Sequence, residues 1–172
     1  MATLRDIQKR IRAVTNTRQI TKAMEMVAAA KLRRAQIIVE QSRPYTEKMR
    51  LILEQISSAA TAFTHPFFEK REVKNRVLVL FSSDRGLCGS YNSNVIRRAT
   101  RILKTSAAQS IKLVLVGKKA EDFFSRRDWE IIKVYKGMKG NMDYDVARDL
   151  TGYLIELFER GETDQIELLC TR

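Results

Sequence analysis

The sequence predicts an α/β protein built in two parts: a long N-terminal helix, then a mainly parallel sheet with flanking helices. Three observations carry this expectation. Residues 1–43 contain no Gly, no Pro and no aromatic, whereas the glycines fall after Arg85. Apolar residues in the first part recur at spacings of 3 and 4, while those after Asn75 form short continuous runs separated by helical stretches. Charge divides the same way: residues 1–50 carry 12 basic and 4 acidic side chains, a net of +8, and residues 151–172 carry 2 and 5, a net of −3.

From Thr3 to Ser42 strong helix formers dominate, and Leu4, Ile7, Ile11 and Val14 trace one apolar stripe. Thr3 reads as the N-cap, with Asp6 favourably placed at the positive end of the helix. The stripe then falters, because a strict heptad would set Arg18 and Glu25 on the seam. It resumes at Ile20, Met24, Ala28, Leu32, Ala35 and Val39, at spacings longer than a heptad average, which relaxes left-handed supercoiling. Forty residues at 1.5 Å each make a rod of roughly 60 Å. Pro44 should end or kink it near Arg43, yet Tyr45, Met49, Ile52, Leu53 and Ile56 resume the pattern, so a bent continuation to about Ala60 is expected. The N-terminal part is thus residues 1–60, and 61–75, with His65-Pro66, reads as a connecting loop. His65 is expected to be an ordinary turn residue.

The second part, residues 76–172, alternates strand and helix. Arg76–Ser82, Ile111–Gly117, Ile131–Tyr135 and Gln165–Cys170 read as strands; Tyr91–Thr105, Lys118–Arg126 and Asp143–Arg160 read as helices. Apolar strands separated by helices imply a Rossmann-like sheet covered on both faces.

Composition bounds the function. With 172 residues, 44% of them hydrophobic, the chain can bury an ordinary core, and 32 Lys plus Arg against 20 Asp plus Glu give +12 and a lean toward anionic partners. Cys88 and Cys170 stand far apart without CxxC spacing, which argues against a disulfide scaffold or a cysteine zinc site and for a reducing compartment. The longest apolar runs, Met26–Ala30 and Val77–Phe81, fall far short of the roughly 20 residues of a membrane-spanning helix. The opening lacks the apolar core of a secretory signal. Although Arg-rich, it continues into helix without a junction suited to transit-peptide cleavage.

The loop Ser82-Ser83-Asp84-Arg85-Gly86-Leu87-Cys88-Gly89 follows the first strand, where open α/β sheets bind ligands. It has neither GxGxxG nor a Gly-Lys-Ser/Thr ending, so no nucleotide cofactor is expected. Its glycines are expected to supply backbone angles closed to other residues, with Asp84 and Arg85 capping or pairing locally. Ser82, Ser83 and Cys88 have no histidine within the same segment and no GxSxG elbow; Asp143 and Asp145 sit where a helix start explains acids. No catalytic residue and no metal site is assigned. The basic rod remains. A nucleic-acid reading would use Lys9, Arg10, Arg12, Arg18, Lys22, Lys31, Arg33 and Arg34 on phosphates, but the segment has no stacking aromatic and its apolar stripe asks for a protein partner.

Two segments together carry a family resemblance. LRDIQKRIRAVTNTRQITKAMEMVAAAKLRRAQ and SSDRGLCGSYNSNV closely resemble the gamma subunit of F-type ATP synthases, the central rotor shaft, and the likeness extends through VGKKAEDFF to QIELLCTR. The resemblance implies a long helix in an antiparallel coiled coil with a C-terminal helix, inside a ring of three alpha and three beta subunits. It implies that the α/β domain joins the epsilon subunit and the c-ring, in one copy per complex, peripheral to the cytoplasmic face of a bacterial inner membrane. It implies no bond chemistry, no cofactor and no nucleic acid: the turning shaft makes three catalytic beta sites differ. Carried over by position, Ile20, Thr21, Lys22, Met24 and Glu25 meet the acidic catch loop of a beta subunit, with Lys9 further along the shaft. Asp84, Arg85, Gly86, Leu87, Cys88 and Gly89 form a lower-shaft loop. Family members continue well beyond the position of Arg172, so a fragment is expected.

Overall fold

The structure, a computed structural model, describes residues 3–59, 65–69, 71–106, 110–138 and 144–171. The chain forms two compact units, residues 1–62 and 63–172.

The first unit is one helix, α1 (Leu4–Ala59), 56 residues long. It starts in a capping box: the Asp6 N–H donates to Thr3 Oγ1 at 3.4 Å, and Asp6 Oδ2 accepts from the Thr3 N–H at 3.1 Å and from the Thr3 hydroxyl at 2.7 Å. These bonds hold the Asp6 carboxyl below its ordinary value. The helix continues through Pro44 to Ala59, as the resumed apolar spacing led one to expect. Proline costs the helix one bond, to the Glu40 carbonyl, and strong helix formers on both sides outweigh that local loss. Ala60 lies outside the described residues. Every α1 side chain described is exposed, the apolar ones included: Leu4, Ile11 and Leu32 are 75%, 60% and 60% accessible.

The second unit follows the expected alternation, with ends shifted by a residue or two: β1 (Asn75–Phe81), α2 (Tyr91–Thr105), β2 (Ser110–Val116), α3 (Lys118–Phe124), β3 (Ile131–Tyr135), α4 (Tyr144–Glu159) and β4 (Gln165–Leu169). The sheet order is β3-β2-β1-β4 and every pairing is parallel, with Leu78 opposite Leu113 and Val79 opposite Leu168. After β3 the chain returns across the sheet to the free edge of β1, so the order reverses beside β1. Strand alternation feeds two cores. Leu78, Leu80, Leu113 and Leu115 pack under α2 and α3 through Val95, Ala99, Leu103, Ala120 and Phe124. Val77, Val79, Val114 and Val116 face α4 through Leu150 and Leu157.

The described residues of the expected connecting loop include one short helical turn. Pro66–Phe68 form a 3-10 turn whose first free N–H, that of Phe67, donates to His65 Nδ1 at 3.3 Å. The Phe67 ring tilts against Phe158 of α4 at 5.3 Å, and Arg71 stacks on Phe158 at 4.4 Å while donating to its carbonyl at 2.9 Å. Asp164 then ties the two ends of the unit together, accepting the N–H groups of Asn75 and Lys74 at 2.8 and 3.0 Å.

Candidate functional site

The loop from Ser82 to Ser90 leaves the C-terminal end of β1 at the point where strand order reverses, the place where open sheets present functional groups. Its first residues are fastened inward. The Ser82 hydroxyl donates to the Val116 carbonyl at 3.2 Å and accepts the Ala120 N–H at 3.0 Å. Asp84 Oδ1 accepts the Lys118 N–H at 2.9 Å, so Asp84 caps α3, thirty-four residues on. This is a cap across the fold, not the local one expected for it. The Ser83 hydroxyl donates to the Arg85 carbonyl. Close approach of the β2–α3 turn makes this possible: at Gly117, φ +100°, a Cβ would lie 2.2 Å from the Ser82 carbonyl oxygen.

Asn92, in the first turn of α2, is the clasp that sequence reasoning did not single out. Its Oδ1 accepts the Ser83 N–H at 3.0 Å, and its Nδ2 donates to Ser83 Oγ at 2.8 Å and meets Cys88 Sγ at 3.0 Å. The tip, from Arg85 to Ser90, is exposed. Of the two glycines expected to need special backbone angles, Gly89 does so at φ +56°, but Gly86 does not. The left-handed position falls instead on Leu87, at φ +61° and 92% exposed. A non-glycine residue there costs backbone energy of order 1 kcal/mol and needs the surrounding bonds to hold it. The loop is therefore a pinned base carrying an outward apolar tip. Of the two candidate acids near α4, Asp143 lies outside the described residues and Asp145 pairs with Arg148 at 3.2 Å.

On α1 the remaining candidates do not share one face. At about 100° per residue, Lys9, Ile20 and Met24 fall within roughly 60° of one another, Lys22 and Glu25 lie about 160–220° round from Lys9, and Thr21 sits between. Lys22 donates to Glu25 at 3.1 Å, and both side chains are about two-thirds exposed. The Thr21 hydroxyl turns back to the carbonyls of Thr17 and Arg18, at 3.0 Å each. On the same geometry the two apolar stripes are offset by roughly a quarter turn, and Lys9, Arg10, Arg12 and Arg18 surround the helix. Cations on all sides make no single track for a phosphate backbone, which weighs against the nucleic-acid reading.

An α/β unit of Rossmann strand order and a long basic helix with exposed apolar stripes define a protein that works through partners. A family model described as ATP synthase matches residues 3–172, and the chain belongs to that family. Its relatives include the ATP synthase gamma chain of Heliobacterium modesticaldum, 42% identical over 99% of this chain and 58% of the relative. That of Prosthecochloris aestuarii is 42% identical over 96% of this chain and 59% of the relative. Among solved structures, the central stalk and c-ring of Tetrahymena thermophila mitochondrial ATP synthase matches at 27% identity and a TM-score of 0.63, covering 87% of this chain and 63% of that one. The rotor of Euglena gracilis mitochondrial ATP synthase shares the fold at 21% identity and a TM-score of 0.57, over 87% of this chain and 51% of that one. The chain thus spans a little under three fifths of the bacterial gamma chains it resembles.

Proposed function

We propose that this chain serves as a central-stalk rotor subunit of an ATP synthase, doing no bond chemistry itself and passing rotation between the c-ring and the catalytic beta subunits. The observation that carries the reading is α1: 56 continuous helical residues whose apolar stripes are exposed throughout the described part. Such a surface is costly in water and is relieved by a surrounding protein sleeve and a second helix. Small residues Ala28, Ala29 and Ala30 give the middle of the rod a smooth contour, so partners can slip past it.

In this reading Ile20, Thr21, Lys22, Met24 and Glu25, with Lys9 further along, are the shaft's contacts with a beta subunit. Lys22 and Glu25 form an exposed pair of the kind worth little by itself, so Lys22 can exchange to an acidic loop with small loss. Lys9 lies roughly 20 Å along the axis and on another side, so the two lysines address different neighbours in a ring. Attraction of this kind has low geometric demand and suits exchange among three equivalent partners. The Asp84–Gly89 loop, with its exposed Leu87, is the lower-shaft contact in this reading. Membership of the epsilon and c-ring assembly, one copy per complex, at the cytoplasmic face of a bacterial inner membrane, is part of the same proposal. Among the described residues no helix is long and apolar enough to cross a membrane.

The test is assembly. Mixed with alpha and beta subunits, the chain should co-migrate with them, and Lys9→Glu and Lys22→Glu should each weaken the complex, with additive effects because the sites are separate. A complex indifferent to both reversals would remove the electrostatic contact from the account.

A further inference from the structure

A second charged surface lies on the α/β unit, beside the base of the Ser82–Ser90 loop, since Asn92 and Lys118, which hold Ser83 and Asp84, both line it. Helices α2 and α3 flank an open groove of about 960 Å³. Its rims carry Arg97, Arg101 and Lys104 from α2 and Lys118, Lys119 and Arg126 from α3 and its C-terminal turn, against one acid, Asp122. The α2 cations stand at i, i+4 and i+7, which places them in one row. Asp122 reaches only Lys119, at 3.9 Å. Among the described residues the other five cations have no carboxylate partner. Between the rims lie Ile96, Thr100 and Phe123, half-buried, with Ile96 and Phe123 resting on the core below.

We propose that this groove docks an acidic, amphipathic segment of a partner protein, its apolar stripe on Ile96 and Phe123 and its carboxylates along the two cationic rims. Three features select this occupant. Five unpaired cations facing a single acid call for negative charge, and rows on both sides of a trough fit carboxylates on both flanks of one segment. The trough is concave with an apolar floor, which a flat bilayer surface cannot fill. One face of the Phe123 ring is already covered by the Arg127 guanidinium at 3.5 Å, and no other aromatic among the described residues lines the groove, so it offers no set of rings for stacking successive nucleobases. Like-charged rims that repel one another when empty gain most from such a partner. This inference rests on the groove alone and stands whether or not the shaft assignment does.

The experiment uses the full chain and a fluorescent helical peptide of about 15 residues, matching α2 in length, with Leu at 3 and 4 spacings and Glu on both flanks. A sister peptide carries Lys for Glu; phosphatidylglycerol vesicles and duplex DNA are the other ligands. The acidic peptide should bind with an affinity that falls as salt rises, and the basic one should not bind. Arg101→Glu with Lys119→Glu should weaken the acidic peptide by about tenfold or more, whereas Lys31→Glu with Arg33→Glu on α1 should stay within about twofold. Amide exchange of residues 92–105 should slow on binding. Arg101→Gln with Lys119→Gln repeats the test with smaller perturbation should the reversal disturb folding. Equal weakening by the α1 reversal, binding unaffected by the groove variants, or vesicles or DNA depending on the groove more strongly than the peptide would each overturn the proposal.

Discussion

The two units of this chain solve opposite problems. The α/β unit buries its apolar side chains internally: Leu78, Leu80, Leu113, Leu115 and Phe124 are completely shielded from water. Helix α1 leaves Ile20, Met24, Leu32 and Val39 between 48% and 61% exposed. The same residue types therefore stabilise the sheet within this chain and, on the shaft, store affinity for something outside it. Stability belongs to the first and association to the second.

This contrast can be broken most directly by emptying a core position and a shaft position in parallel. Phe124→Ala should cost the α/β unit about 3–5 kcal/mol in a denaturant melt, while Leu32→Ala, already exposed, should change the isolated chain by under about 0.5 kcal/mol. Similar losses at both sites would mean that α1 is packed in solution. Next in size is Gly117→Ala. It forces a Cβ onto the Ser82 carbonyl and a left-handed angle onto alanine, so a loss of about 2–3 kcal/mol is expected, together with loosening of the Asp84–Gly89 loop seen in amide exchange. Thr3→Ala removes the cap of α1 and should fray its first turns by about 1 kcal/mol, read as faster exchange there with the sheet unchanged.

The smallest effect is pH-dependent. The Asn75 and then the Lys74 backbone N–H hold the Asp164 carboxyl below its ordinary value. A carboxyl lowered in the folded state stabilises above its unfolded pKa, and that contribution disappears as pH falls through the folded value. Asp164→Asn should therefore melt below the parent at neutral pH, with the gap closing below about pH 4. A gap that widened in acid would remove this carboxylate from the account.

Much of this architecture was legible in the residues, for identifiable reasons. Val77–Phe81 and Leu113–Val116 are apolar at every step because both sheet faces are covered, and Leu4-Ile7-Ile11-Val14 keeps helical spacing whether or not a partner is present. What escaped depends on contacts remote in sequence. Asn92 clasps Ser83 from nine positions away and Asp84 caps α3 from thirty-four, and neither spacing has a local pattern. The left-handed angle falls on Leu87 and not on the neighbouring Gly86, and nothing in the leucine side chain signals it. The continuation past Pro44 was legible too, because Tyr45, Met49, Ile52, Leu53 and Ile56 keep helical spacing beyond it. The groove cations Arg97, Arg101 and Lys104 did carry a signal, the 4 and 3 spacing, but only the fold shows that α3 supplies the opposite rim.

Amide exchange along α1 tests the central claim that the shaft is stabilised from outside. In the chain alone, residues 20–39 should exchange far faster than Val77–Leu80 and Leu113–Val116, and adding alpha and beta subunits should slow the former while leaving the latter unchanged. A helix already as protected as the sheet before its partners arrive, or one no slower after a complex has formed, would contradict it.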